Sequence, residues 1–163
     1  ERTEDQPIFD RAVALGQQKR FDEAIAVANQ IAPNRVLYDE MQARVRSWRQ
    51  EQTAINNLNR AYQVANGNSV SAWVEAINLT QEIPSSASQL RAEGKQAADQ
   101  WSYRILSVAQ SQANISIPQA IATARQIPRN TAAYDAAQTQ INTWQRLTTP
   151  SPSPQTIDVP TNL

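Results

Sequence analysis

The chain has 163 residues, 15 of them basic and 15 acidic, and carries no net charge at pH 7. This length can bury a single core, and the balanced charge argues against a surface that attracts nucleic acid or anionic lipid. Cysteine and histidine are absent, which excludes disulfides, thiol nucleophiles, zinc sites built on these ligands and every histidine-based triad.

Apolar periodicity and helix-breaking residues predict about seven helices and no sheet. In chain order, the helices are expected at about residues 8–18, 21–31, 35–65, 70–82, 86–113, 117–126 and 130–147. A proline follows the second, fourth and sixth helices, namely Pro33, Pro84 and Pro128. The long helices that come next have candidate N-caps in Asn34, Ser85 or Ser86, and Asn130.

The predicted helix 35–65 has an apolar residue at every third or fourth position, with Gln52 as the one interruption. The series is Tyr38, Met41, Val45, Trp48, Ile55, Leu58, Tyr62 and Ala65. Such a seam is typical of a helix that buries one face along its whole length.

A long pattern occurs three times: an Ala-Ile pair, a second isoleucine six residues after the first with a proline close behind it, a large residue seven residues beyond the second isoleucine, and a tryptophan ten or eleven residues after that. Its Ala-Ile pairs are centred on Ile25, Ile77 and Ile121, its second isoleucines are Ile31, Ile83 and Ile127, and its tryptophans are Trp48, Trp101 and Trp144. Equivalent positions of stacked units bury equivalent core, so we expect the three tryptophans to be buried. The repeats predict an all-α fold, an α-solenoid of stacked hairpins with alternating short and long helices.

The first unit is eight residues longer than the second, because 52 residues separate Ile25 from Ile77 and 44 separate Ile77 from Ile121. Eight residues are about two helical turns, so the helix 35–65 can lengthen and keep its buried face. We expect one repeat domain over residues 1–147, with units at about 8–48, 61–101 and 105–147. Residues 148–163 alternate proline with serine and threonine, which predicts a linker or tail.

The segment from Ala12 to Gly16, followed after four residues by Phe21-Asp22-Glu23-Ala24-Ile25, resembles the tetratricopeptide repeat. The resemblance implies stacked helical hairpins that bind protein partners. The fuller pattern is also similar to repeats in uncharacterised, often membrane-anchored cyanobacterial proteins. The absence of cysteine and the richness in glutamine, asparagine, serine and threonine slightly favour an extracytoplasmic site or a membrane-anchored parent protein. The start at Glu1 predicts a fragment or a processed chain.

Candidate chemical motifs have simpler explanations. The pairs Asp22-Glu23 and Asp39-Glu40 fall in predicted first helical turns, where acids favour the helix dipole. The cluster of Arg44, Arg46 and Arg49 lies near acidic residues and is interpreted as a solvated, salt-bridged face. The glycines are too scattered for a phosphate loop. The sequence thus predicts no catalytic residues, no cofactor and no metal.

Two functions remain. The first is a non-catalytic protein-interaction scaffold with an unidentified protein partner, without nucleic-acid binding or direct membrane insertion. The second is a structural or homo-oligomerising module that uses the helix 35–65. Candidate partner-binding residues are Ile55, Leu58, Tyr62 and Tyr103, because the apolar stripe over about 51–62 outruns the neighbouring helices. The alternative is that the rest of the bundle covers this stripe.

Overall fold

The computed structural model describes residues 2–150, and this part of the chain contains seven α-helices and no strand. The predicted all-α class and the number of helices are therefore confirmed. The helices are α1 (Arg2–Gln17), α2 (Phe21–Ala28), α3 (Tyr38–Ala65), α4 (Val70–Gln81), α5 (Ser88–Ala113), α6 (Ile117–Ala124) and α7 (Tyr134–Thr148). The predicted tail is outside the described residues from residue 151 onward.

The long helices α3, α5 and α7 begin two to four residues later than predicted. Their N-caps are Leu37, Ala87 and Ala133, and none of these side chains caps the helix. The predicted caps Asn34, Ser85 or Ser86, and Asn130 are therefore wrong. The residues around each proline instead form backbone turns, such as the hydrogen bond of 3.1 Å from Ala87 N to Pro84 O. These turns hold the predicted caps before the first helical turn.

Short helices α2 and α6 end two or three residues earlier than predicted, because their last residues form a tighter turn. After α2, Ile31 N donates to Ala28 O at 3.1 Å, and after α6, Ile127 N donates to Ala124 O at 3.2 Å. Side-chain caps are found at the starts of α4 and α6. There the Ser69 hydroxyl accepts a hydrogen bond from Ala72 N at 3.1 Å, and Ser116 caps α6 in the same way.

Positions that correspond in the threefold pattern are buried alike. The second isoleucines, Ile31, Ile83 and Ile127, are between 1% and 3% exposed. The three tryptophans of the pattern, Trp48, Trp101 and Trp144, are between 5% and 9% exposed, which confirms that their indoles are buried. The large residues that follow the prolines, Tyr38, Leu90 and Tyr134, are all half-buried.

The apolar interior divides into two main clusters. One cluster is formed by α1, α2 and the first half of α3, around Phe21, Met41 and Trp48. The larger cluster joins the end of α3 to α4, α5, α6 and α7, around Trp101 and Ile105. A small third cluster of Ala54, Leu58 and Ile83 lies between them, near the middle of α3. The eight extra residues of the first unit therefore belong to the junction between the two clusters.

Helix packing follows the order of the chain. The backbone of each helix lies closest to the helix before it and the helix after it, and α3 with α5 is the one comparably close pair of non-consecutive helices in residues 2–150. Side chains also join α1 to α3, where Gly16 meets Trp48. Helix α5, packed between α4 and α6, is central to the larger cluster. One long side of α5 still faces solvent, and it carries Lys95 and Tyr103.

Candidate partner-binding surface on helix α5

Two of the four candidate partner-binding residues are covered by the chain itself. Leu58 is 4% exposed and packs with Ala54 and Ile83 in the junction cluster. Ile55 is half-buried against the N-terminal cluster. The alternative raised from the sequence, that the bundle covers the stripe, therefore describes Leu58 fully and Ile55 in part.

Tyr62 belongs to α3, is 41% exposed and lies against one edge of α5. Its ring packs edge-on against Trp101, with ring centroids 5.6 Å apart and an interplanar angle of 78°. Its hydroxyl donates to Glu93 Oε1 at 3.5 Å. Partial burial, together with the negative charge of Glu93, raises the pKa of Tyr62 above its ordinary value. The ring is thus held in place with one side open to solvent.

Tyr103 is 53% exposed and lies on the solvent-facing side of α5. Its hydroxyl donates to Ala132 O, in the loop between α6 and α7, at 3.4 Å. The same loop is fastened to α5 twice more, because Asp99 Oδ1 accepts from Ala132 N at 2.9 Å and Ser102 Oγ accepts from Ala133 N at 3.2 Å. Tyr103 consequently rests beside a fixed loop.

The ring of Tyr103 borders a shallow depression of about 430 Å³ on α5. Its lining residues are Ala92, Lys95, Gln96, Asp99, Gln100 and Tyr103. These residues share the exposed face of the helix, as their spacing of three, four and seven positions requires. An exposed aromatic ring beside alkyl stems and amide groups offers both apolar contact and hydrogen bonding.

A larger cleft of about 650 Å³ adjoins this depression and shares Ala92 and Lys95 with it. It lies between the end of α4, the first turns of α5 and the loop before α7. The lining residues are Thr80, Gln81, Ser85, Ser88, Arg91, Ala92, Lys95, Ala98 and Asn130. This set includes two cations and no carboxylate, and the remaining polar groups are hydroxyls and amides. Its volume falls in the range typical of ligand sites.

Sequence reasoning did not single out Arg91 and Lys95, although a signal was present. Arg91 directly follows Leu90, whereas the residues that follow the equivalent Tyr38 and Tyr134 are aspartates. The second unit therefore has a positive charge where the other two units have a negative one. A reversed charge at one repeat position indicates that the surface of the second unit differs there from the surfaces of the other two units.

The other charged motifs lie where the sequence predicted. Asp22 and Glu23 are in the first turn of α2, and Asp39 and Glu40 in the first turn of α3. Arg44 pairs with Glu40 at 3.9 Å and also stacks over the ring of Phe9. The acidic pairs and Arg44 are thus occupied with helix ends and neighbouring side chains, whereas Arg46 and Arg49 are solvent-exposed and form no ion pair within residues 2–150. Within residues 2–150, no cluster of acidic side chains is arranged to hold a metal ion.

None of the helices in residues 2–150 is both long enough and apolar enough to cross a membrane. Comparisons with protein-family models, with curated proteins and with solved structures yield no match to this chain. The α5 surface, with the exposed ring of Tyr103 beside its depression, is the feature from which we infer a function.

Proposed function

We propose that this chain is a non-catalytic scaffold, an α-solenoid of tetratricopeptide-like hairpins that binds a protein partner. Consecutive packing of the helices supports the solenoid arrangement, since repeat proteins make contacts mainly between neighbouring units. Equal burial of Ile31, Ile83 and Ile127 supports the repeat. Such an array offers an extended surface to a partner and needs no catalytic group.

The observation that carries the proposal is the exposed, anchored ring of Tyr103. Tyrosine is enriched at protein interfaces, because its ring supplies a large contact area at a small cost in side-chain entropy. Tyr103 has its hydroxyl tied to Ala132 O and its ring beside the depression on α5. Tyr62 of α3 is a second half-exposed ring, and its contact with Trp101 holds it at another edge of α5. We assign the contact surface to the side of α5 between these rings.

Site-specific photo-crosslinking tests the proposal. A photoreactive phenylalanine derivative in place of Tyr103, in the native host cell, should give a discrete adduct with another protein. The same residue in place of Asn142, which is exposed on α7, should give none. Equal adducts from both positions, or none from either, would contradict the proposal.

The homo-oligomer is the alternative function, and the same experiment separates it from the scaffold. An adduct of twice the mass of the chain would indicate a second copy as the partner. Because Leu58 is buried in the junction cluster, an interface on α3 would rest on Tyr62 and the exposed polar residues around it. We therefore favour an unlike protein partner.

A further inference from the structure

We propose that the cleft beside Arg91 and Lys95 binds an acidic side chain from the partner segment that lies on α5. This inference rests on the proposed scaffold function and specifies the chemistry of its partner. The cleft is lined by two cations, by the hydroxyls of Ser85 and Ser88, and by other hydroxyl and amide groups, without a carboxylate. Such a lining has an excess of hydrogen-bond donors with positive charge, which suits a carboxylate.

Arg91 is held in place for this role. Its Nη1 donates to the backbone oxygen of Ile83 at 2.6 Å, across the turn that joins α4 to α5. This bond uses one of the five N–H groups of the guanidinium and orients the others. Within residues 2–150, Arg91 makes no ion pair. An oriented cation without a carboxylate partner is ready to accept one from another chain.

Lys95 supplies the second charge at the side of the cleft nearer to Tyr103. Its Nζ pairs with Asp99 Oδ2 at 3.1 Å, and its side chain is 64% exposed. Asp99 also accepts a hydrogen bond from Ala132 N at 2.9 Å, which holds this carboxylate at the loop. Lys95 is therefore partly neutralised, and the negative charge of Asp99 weakens the attraction of the cleft for an anion.

The position of the cleft connects it to the contact surface. Ala92 and Lys95 line both the cleft and the depression beside Tyr103. A single extended segment can therefore place an acidic side chain on Arg91 and an apolar side chain against the ring of Tyr103. Ser88 is the first residue of α5, so the positive end of this helix adds to the field in the cleft.

A blocked hexapeptide that alternates glutamate with alanine is the probe, and its counterpart with glutamine is the neutral control. We expect the whole chain to bind the glutamate peptide, more weakly as ionic strength rises, and not to bind the glutamine peptide. Arg91→Gln should weaken binding about five- to tenfold. Asp99→Asn should strengthen it about two- to fivefold, because Lys95 loses its competing partner. Binding is measured by fluorescence anisotropy.

Arg60→Gln is the matched control, since it removes one exposed arginine of α3 outside the cleft and should leave binding unchanged. If Arg91→Gln lowers the melting temperature, Lys95→Gln, which leaves the bond to Ile83 intact, should still weaken binding. Equal losses from Arg60→Gln and Arg91→Gln would overturn the inference, as would binding of the glutamine peptide.

Inorganic phosphate distinguishes a free anion from a protein segment. Binding of phosphate alone, without the glutamate peptide, would overturn the assignment to a partner protein. Absence of all binding, with the Tyr103 adduct still formed, would overturn the acidic chemistry and leave the scaffold function standing. If the glutamate peptide binds but the photoreactive residue at position 103 gives no adduct, the scaffold function is contradicted instead.

Discussion

At the scale of single residues, close packing makes small side chains decisive. Gly16 lies in α1 directly against the indole of Trp48, and a Cβ atom at this glycine would overlap three atoms of the indole. The turn that follows contains Lys19 with φ of 59°, in the left-handed region. Arg20 N donates to Leu15 O at 3.0 Å across this turn and ends the helix. Because the indole of Trp48 lies against Gly16, the absence of a side chain at this glycine sets how closely α1 approaches α3.

We expect the methyl group of Gly16→Ala to cost about 1–3 kcal/mol in packing, because the rigid indole must move to admit it. Alanine gains up to about 1 kcal/mol inside a helix, so the fold should lose up to about 2 kcal/mol of stability in total. Urea unfolding measures the difference. Gly94→Ala is the comparison, since its Cβ would meet the flexible end of Ile83 at 2.8 Å and should cost less. A Gly16→Ala protein as stable as the wild type would show that Trp48 has room to shift.

A charged triad predicts how stability changes with pH. The guanidinium of Arg35, before α3, donates to Asp5 Oδ2 at 2.7 Å and to Glu4 Oε2 at 2.6 Å. The hydrogen bond from Arg35 lowers the pKa of Glu4 below its usual value of 4.5. A lowered pKa adds stability above the unfolded-state pKa, and this stability is lost as the pH falls through the folded-state pKa.

The stability difference between the wild type and Glu4→Gln should therefore be largest near neutral pH. It should shrink as the pH falls below about 4.5, where the glutamate begins to be protonated. Urea unfolding over a pH series measures this difference, and the same series with Arg35→Gln present should show a weaker dependence, because the largest cause of the lowered pKa is removed. A difference that stays constant down to strongly acidic pH would mean that the triad does not form in solution.

At the scale of helices, the length of α3 separates two packed groups. The N-terminal cluster has eleven buried residues and the larger cluster has twenty. Between them lies only the small junction cluster of three buried residues. Exposed polar contacts add to it, with Gln52 Nε2 donating to Asp22 Oδ1 at 2.9 Å and Ser86 Oγ donating to Gln50 Oε1 at 2.9 Å. Exposed polar contacts stabilise a junction less than buried apolar ones.

The α1–α2 hairpin should consequently open without unfolding of the rest. We expect amides of α1 and α2 to exchange faster than those of α4 and α5, since they depend on the smaller cluster. Native-state hydrogen exchange followed by mass spectrometry measures this, with peptides from α5 as the internal reference. Equal protection along all four helices would show that the two clusters unfold as one unit.

At the scale of the whole molecule, charge is balanced in total and uneven in place. The chain carries no net charge, yet the cleft of about 650 Å³ at the start of α5 is lined by two cations and no carboxylate. Recognition depends on this local field more than on the sum of charges. The proposed binding of an acidic segment thus agrees with a neutral composition, which argued only against broad basic surfaces.

The amino-acid sequence alone determined the helical class, the number of helices and the burial of Trp48, Trp101 and Trp144. These follow from periodicity and repetition, which are local signals. Helix starts were less predictable, because the turns after Pro33 and Pro84 depend on backbone hydrogen bonds that compete with side-chain caps.

Only the tertiary structure decided which apolar and charged residues remain accessible. Leu58 and Tyr62 belong to the same sequence seam, yet Leu58 is covered by Ile83 from the turn between α4 and α5, while Tyr62 stays half-exposed. Arg91 became notable once the turn after α4 and the loop before α7 were seen to form a cleft around it. The exposure of a side chain and the electrostatic field around a charged group depend on residues that are distant in the sequence. The periodicity of apolar residues along the chain therefore cannot specify them.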